Sequence, residues 1–331
     1  MIASEPPFPT LTGVGVARLL KDPWRIAVAG AGGWMGLAAI EQLHGLLGEA
    51  FHQRVVCFGS NERTLLLRGG LTVRQRPLQD LAGLARVPTL VLYFAFLTQE
   101  KAGRMSRDAY VATNQAISDQ VFDALEPIGA EGVFVASSGA VEMVGVAGAD
   151  PNKALYGELK LRDEERFSRW AEERGRRTVI ARIFGLSGPY INKLESYALA
   201  CFITDALADR PIEIKSAWPV FRSYVAVDEL MSVAFALLTD GERGAITFDT
   251  GAYRGFEMEE IAQGVASALD HRLGIARPAI TQSKVDRYVG DGAAYCALRE
   301  ANHIVPINFA AQVRETARYM TGAAGATSPG N

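Results

Sequence analysis

Arg25-Ile26-Ala27-Val28-Ala29-Gly30-Ala31-Gly32-Gly33-Trp34-Met35-Gly36-Leu37-Ala38-Ala39-Ile40 is the stretch that decides the fold. Residues 26–29 form a short apolar run, with the length and composition of a strand buried in a parallel sheet. The run passes without a spacer into Gly30, Gly33 and Gly36, and then into residues that readily form helix. Strand, glycine loop and helix in that order aim a helix N-terminus, with its free N–H groups, at a phosphate. A Cβ in such a loop would block the tight turn and the backbone's approach to a pyrophosphate. Met35 occupies the place of the last glycine in G-x-G-x-x-G, so the spacing here is G-x-x-G-x-x-G. The stretch therefore predicts a dinucleotide loop, with Gly30, Gly33, Trp34, Met35 and Gly36 at the ligand. Trp34 is expected to pack against the sheet edge.

Strand and helix patterns alternate outward from this loop. Residues 54–58, 71–73, 89–96, 132–136 and 178–183 read as further strands, and residues 89–96 are apolar throughout. Residues 112–125 and 153–174 read as helices, the first with Ile117, Val121 and Leu125 on one stripe. The alternation predicts an α/β fold, a Rossmann-type doubly wound parallel sheet with its ligand crevice at the carboxyl ends of the strands. After Gly185 the pattern loosens, with helices expected at 194–208, 257–269 and 310–320 and one starting at 225. The expected organisation is an N-terminal extension (1–24, one short helix at Val14–Lys21) and a nucleotide-binding domain (25–185, returning at 225–250). A smaller C-terminal substrate lobe (186–224 and 250–320) roofs the crevice, and a flexible tail (321–331) follows.

Composition excludes several function classes. The 331 residues are 49% hydrophobic and 21% charged with a net charge of −3, which leaves no electrostatic footprint for nucleic acid or an anionic membrane. No apolar run approaches a membrane span, and the proline-bearing start (Pro6, Pro7, Pro9) is not a signal peptide. Cys57, Cys201 and Cys296 are far apart with no C-x-x-C, and the four histidines form no ligand-spaced pair. A cytoplasmic protein without a metal is expected.

Tyr156 and Lys160 are four residues apart on the second long helix and so share a face. An ammonium beside a phenol favours the phenolate, which would make Tyr156 a proton donor to a carbonyl or an acceptor from an alcohol. A surface tyrosine resting on a lysine stem gives the same spacing. Ser138 ends a central strand just before that helix, where its hydroxyl can hold the same substrate oxygen.

With these residues in place, the chain resembles an extended short-chain dehydrogenase/reductase of the sugar-nucleotide epimerase/dehydratase type over about residues 25–320. The resemblance rests on Gly30, Gly33 and Gly36, the strand Val91-Leu92-Tyr93-Phe94-Ala95, and Asn114, which opens the following helix. It continues through Ser138, Tyr156 and Lys160 to Arg182-Ile183-Phe184-Gly185-Leu186-Ser187-Gly188-Pro189 and Arg222-Ser223-Tyr224-Val225-Ala226-Val227-Asp228. It implies catalytic roles for Ser138, Tyr156 and Lys160. It also implies cofactor contacts from Phe94, Ala95, Asn114, Tyr156, Lys160 (which would hold the nicotinamide ribose) and Phe184, and substrate contacts from Ser138, Gly139, Asn192 and Arg222. Arg222 would meet the diphosphate of a nucleotide-linked sugar. The chain departs from the family pattern at Phe96, Gly185, Ser223 and Ala226. Gly139-Ala140 replaces the Asp-Glu pair of the 4,6-dehydratases, which points to a reductase or an epimerase.

Cofactor choice turns on the end of the second strand, where a carboxylate would bind a ribose 2′-OH and repel a 2′-phosphate. Ser60, Asn61 and Arg63 stand there, and Arg63 can pair with a 2′-phosphate, so NADP(H) is expected over NAD(H). Glu62 argues the other way. The reading is NADPH-dependent reduction of a keto group on a nucleotide-diphosphate sugar, of the 4-keto-6-deoxy kind. The alternatives are an epimerase with a tightly held NAD(P), a reductase of non-nucleotide carbonyls, and a non-catalytic NADP(H) sensor. The resemblance also implies a homodimer joined through helices 112–125 and 153–174, with Leu155, Leu159 and Ile117 at the seam or in an internal core.

Overall fold

In the computed structural model, which describes residues 11–326, the alternation of strand β1 (Arg25–Ala29) sets the layers. Ile26 and Val28 face one core and Ala27 and Ala29 the other. The first core is completed by helix α2 (Trp34–Leu47) and helix α6 (Val227–Asp240). The second is completed by helices α3 (Arg107–Ile128) and α4 (Pro151–Arg174), whose Val121, Leu125, Phe167 and Trp170 are buried on the small alanine face. Helix α1 (Val14–Lys21) has the bounds read from the sequence and packs on α6. The prolines at 6, 7 and 9 and residues 327–331 of the expected tail lie outside the described residues.

The sheet has eight strands: β1, β2 (Val55–Gly59), β3 (Arg63–Leu66), β4 (Thr72–Pro77), β5 (Thr89–Tyr93), β6 (Ala130–Ser138), β7 (Arg177–Ile183) and, through a later return of the chain, an edge strand Gly244–Asp249. The order is edge strand-β7-β6-β5-β1-β2-β4-β3, parallel except for the β3–β4 pair. The chain runs outward from β1 in both directions, so the crevice opens at the carboxyl ends of β1 and β5, where the glycine loop sits. This is the Rossmann-type doubly wound sheet expected from the sequence.

Several boundaries move. β5 stops at Tyr93, and Phe94–Phe96 leave the sheet as a loop, because Asn114 Oδ1 takes the N–H of Leu97 at 2.7 Å and Tyr110 donates to its carbonyl at 2.8 Å. α3 begins at Arg107, capped by the Ser106 hydroxyl, so Asn114 lies inside the helix and does not open it. α4 is capped by the Asp150 side chain and stopped by Gly175 in the left-handed conformation.

Beyond β7 the lobe has its own core of Ile191, Leu199, Ile203, Met258, Ile261 and Val313. It is built from helices α5 (Ala198–Leu207), α7 (Met258–Ala268) and α9 (Phe309–Ala326). A three-stranded sheet places Val220–Arg222 between Phe256–Glu257 and Asp286–Tyr288. Helix α8 (Gly292–Ala301) sets Tyr295 beside Phe248 of the edge strand, 6.0 Å between ring centroids, and so joins the sheet layer. The lobe is tied down by Arg68, which pairs with Glu41 of α2 and with Glu315 of α9 at 2.7 Å. Tyr190 donates to Glu41 at 2.8 Å in the same cluster. No described helix is long and apolar enough to cross a membrane.

Candidate active site

The glycine loop is shaped by close approach. Gly30 has φ +90°, and a Cβ on it would run into the backbone of Phe94 and Ala95. A Cβ on Gly36 would strike the carbonyl oxygens of Gly30 and Ala31. The N–H groups of Gly30 and Ala31 both donate to Phe58 O at 2.9 Å, so the loop is fastened to β2. Gly33 is the N-cap of α2, and no side chain caps that helix end. This cradle fits a pyrophosphate, whose oxygens would complete the uncapped N-terminus beside Trp34 and Met35.

Trp34 does not pack on the sheet edge. It lies between the main core and the lobe's core and meets Tyr197 edge-on, ring centroids 5.6 Å apart. At the end of β2, Ser60 and Asn61 are exposed, and Asn61 O accepts from the Gln75 amide at 2.8 Å. Glu62 is drawn away by Arg74, 2.9 Å from Nε. Arg63 instead lies over the glycine loop, so close that a Cβ on Gly32 would collide with its guanidinium.

Ser138 ends β6, and its Oγ accepts the N–H of Ala140 at 3.2 Å, which turns the chain there. α4 approaches this turn at Gly157, where a Cβ would strike the Ala140 carbonyl. That close approach sets Tyr156, the residue before Gly157, on the side of the turn where the Ser138 hydroxyl acts to lower its pKa. Burial pushes the Tyr156 phenol up, with Tyr288, Tyr110 and Tyr197 adding to the effect. The phenol pKa lowering expected from Lys160 is therefore not met. The Lys160 ammonium turns away to donate to Ala136 O at 2.7 Å, and it stands 5.8 Å from the Tyr156 ring centroid. Burial brings Lys160 itself down to about 8, opposed by Asp163 and Glu164.

Asn114 is buried behind Leu97 with its Nδ2 unpaired, and Phe94 rests on Phe134, ring centroids 5.8 Å apart. Phe184 covers Gly139. Arg182 is a structural arginine, in a two-pronged pair with buried Glu164 at 3.0 and 2.7 Å. Arg222 reaches the site's rim but its fork is engaged by Asp286, at 3.2 and 2.8 Å. Asn192 is exposed on the segment before α5. Leu155 and Leu159 are buried within the chain against Ala102 and Tyr110, and Ile117 packs on the second core of the sheet, so all three serve an internal core.

Sequence reasoning does not reach Tyr288. Its hydroxyl lies 3.3 Å from Ser138 Oγ, its ring lies against Phe184 at 4.8 Å between centroids, and the Lys153 ammonium sits 4.0 Å over it. It comes from a three-residue strand 150 positions away, and no local pattern announces it. Gly157 carries a usable signal, a glycine inside a helix directly after the candidate tyrosine. Among the described residues, no group of three or more His, Cys, Asp or Glu could hold a metal ion.

Residues 26–249 match the profile of the "NAD dependent epimerase/dehydratase family", in line with the resemblance read from the motifs. Among solved structures, the chain is similar to UDP-N-acetylglucosamine 4-epimerase from Methanobrevibacter ruminantium in complex with UDP-N-acetylmuramic acid. The identity is 16% and the TM-score 0.70, over 91% of this chain and 99% of that one. It is also similar to the UDP-glucose 4-epimerase of Thermus thermophilus in complex with NAD, at 22% identity and TM-score 0.65, over 90% and 99%. A third similar structure is DesIV, dTDP-glucose 4,6-dehydratase from Streptomyces venezuelae, at 18% identity and TM-score 0.65, over 91% and 98%. No curated protein matches the chain.

Proposed function

The chain belongs to the NAD-dependent epimerase/dehydratase family, and from that premise we propose that it epimerises a hydroxyl-bearing carbon of a nucleotide-linked sugar, keeping its dinucleotide bound throughout. The observation that carries the reading is the convergence of Tyr156, Ser138 and Lys160 at the carboxyl end of β6, on the crevice that the glycine loop opens. A bound dinucleotide supplies reversible hydride transfer. Tyr156 takes the proton from the sugar hydroxyl and later returns it, Ser138 holds the oxygen, and Lys160 provides positive charge behind the phenol. Burial favours the protonated phenol in the free chain, so Tyr156 must first release that proton to solvent before it can accept one from the sugar hydroxyl.

The sequence alone favours a net ketoreductase. Two of the three similar structures named above are 4-epimerases, which favours the recycling reaction. Trp34, wedged between the two cores beside the glycine loop, supports retention of the cofactor. For the dinucleotide, Arg63 over Gly32 and Glu62 held by Arg74 support NADP(H) over NAD(H). Tighter binding of NADH than NADPH in a titration would reject that choice.

The experiment is to incubate the chain with UDP- and dTDP-hexoses plus oxidised dinucleotide, and separately with their 4-keto-6-deoxy derivatives plus NADPH, and to follow the sugar by NMR and the reduced cofactor by absorbance. Interconversion of epimers without stoichiometric NADPH loss is expected. NADPH oxidation matched to reduced product would restore the ketoreductase, and neither change with any sugar nucleotide would reject the substrate class.

A further inference from the structure

Phe96 stands on the loop that leaves β5, and its ring covers the Lys160 ammonium, with Nζ 3.7 Å from the ring centroid. The same ring meets Tyr156 edge-on, centroids 5.5 Å apart and planes at 82°. Lys160 is 3% exposed. One of its three N–H donors goes to Ala136 O, and an aromatic face takes the ammonium's side toward Phe96. The ammonium that a dinucleotide would reach from the crevice is thus already engaged.

The backbone on both sides of Phe96 is fixed. The N–H groups of Phe94 and Ala95 donate to Ala29 O at 2.8 and 3.0 Å. Leu97 is held at its N–H by Asn114 and at its carbonyl by Tyr110, at 2.7 and 2.8 Å. The ring therefore leaves Lys160 by turning about its own side-chain bonds, and its partial exposure gives it solvent to turn into.

We propose that Phe96 is a side-chain plug over Lys160 that the incoming dinucleotide must displace, so that this residue sets the affinity for the cofactor. The inference rests on the reading of the crevice as a dinucleotide site. A contact made in the free state and lost in the bound one lowers apparent affinity by the fraction of molecules already open. Removing the ring should therefore tighten binding, by about tenfold for a desolvated cation–π contact.

The test is a calorimetric titration of the full chain, freed of any copurified dinucleotide, with NADPH and with NADH. Wild type is compared with Phe96→Ala and Phe96→Leu, the second keeping bulk without the π face. The expected result is binding about tenfold tighter in Phe96→Ala and tighter by a smaller factor in Phe96→Leu. Equal or weaker binding in a folded Phe96→Ala chain overturns the plug. If that variant does not fold, Phe96→Leu decides on the same criterion. A wild type that binds neither dinucleotide overturns the plug and the cofactor reading together, whereas a wild type that binds and an alanine variant no tighter overturn the plug alone.

Discussion

Ser138 and Tyr288 meet hydroxyl to hydroxyl, 3.3 Å apart, across the junction of the parallel sheet and the C-terminal lobe. Tyr288 also donates to Ile183 O at 3.4 Å, so a lobe residue orients a group on the central strand. The lobe thereby takes part in setting the position of the Ser138 hydroxyl, the group proposed to hold the substrate oxygen.

Tyr288→Phe keeps the ring on Phe184 and removes only the hydroxyl. The loss of one positioning hydrogen bond should lower kcat by about tenfold and leave KM within about twofold. Steady-state kinetics check this, and a fall in Tm with unchanged kcat would mean that the hydroxyl only ties the lobe down.

Lys160 gives a pH dependence of defined sign. Burial holds its pKa at about 8, below the ordinary lysine value, so the free enzyme carries this charge below about pH 8 and loses it above. If the charge supports the phenol and the cofactor, kcat/KM should fall as pH rises through about 8. A profile flat from pH 7 to pH 9.5 would remove Lys160's charge from the mechanism.

The boundaries of what the sequence discloses follow from where each determinant lies. The glycine loop is readable because strand, turn and helix cap fall within sixteen consecutive residues. Tyr156 and Lys160 are readable as sharing a helix face, but helical spacing does not say where an ammonium points, and Lys160 finds Ala136 O. The end of β5 is hidden because Phe94–Phe96 are as apolar as a strand. Only Asn114 and Tyr110, 17 and 13 positions away, pull Leu97 out of register. β3 escapes a local reading because its pairing with β4 depends on a partner strand and not on its own alternation. Asp286 and Tyr288 are beyond local reading altogether, since their partners Arg222 and Ser138 lie 64 and 150 residues back.

Asp228 offers a test of the buried polar cluster beneath the lobe. It is 4% exposed, accepts from the Gln42 amide, and lies near Glu315 and Glu41 as well as Arg68. Burial pushes its carboxyl up to about 7. The folded state thus binds this proton more tightly than the unfolded chain, with its pKa near 4. The stability so gained is full below about pH 4 and is lost as pH rises through about 7. Asp228→Asn should therefore raise stability at pH 8 by about 2 kcal/mol and flatten the fall between pH 4 and 7. Denaturant titrations at pH 5 and pH 8 check this, and a variant less stable at pH 8 would contradict it.

Arg222 is held by Asp286, and Arg222 in turn holds the Asp286 carboxyl below its ordinary value. If the fork also meets a diphosphate, Arg222→Met should raise KM for the nucleotide sugar by about tenfold with kcat little changed, the mark of lost uniform binding. Asp286→Asn should move KM the other way by releasing the guanidinium. Unchanged KM in both variants would leave the pair a structural tie alone.

Tyr156→Phe bears most directly on the central claim, that one buried phenol moves the proton at the reacting oxygen. Turnover of the nucleotide sugar should fall by about a thousandfold while the dinucleotide Kd, measured by titration, stays within about twofold. A variant that turns over within about tenfold of wild type would contradict the claim.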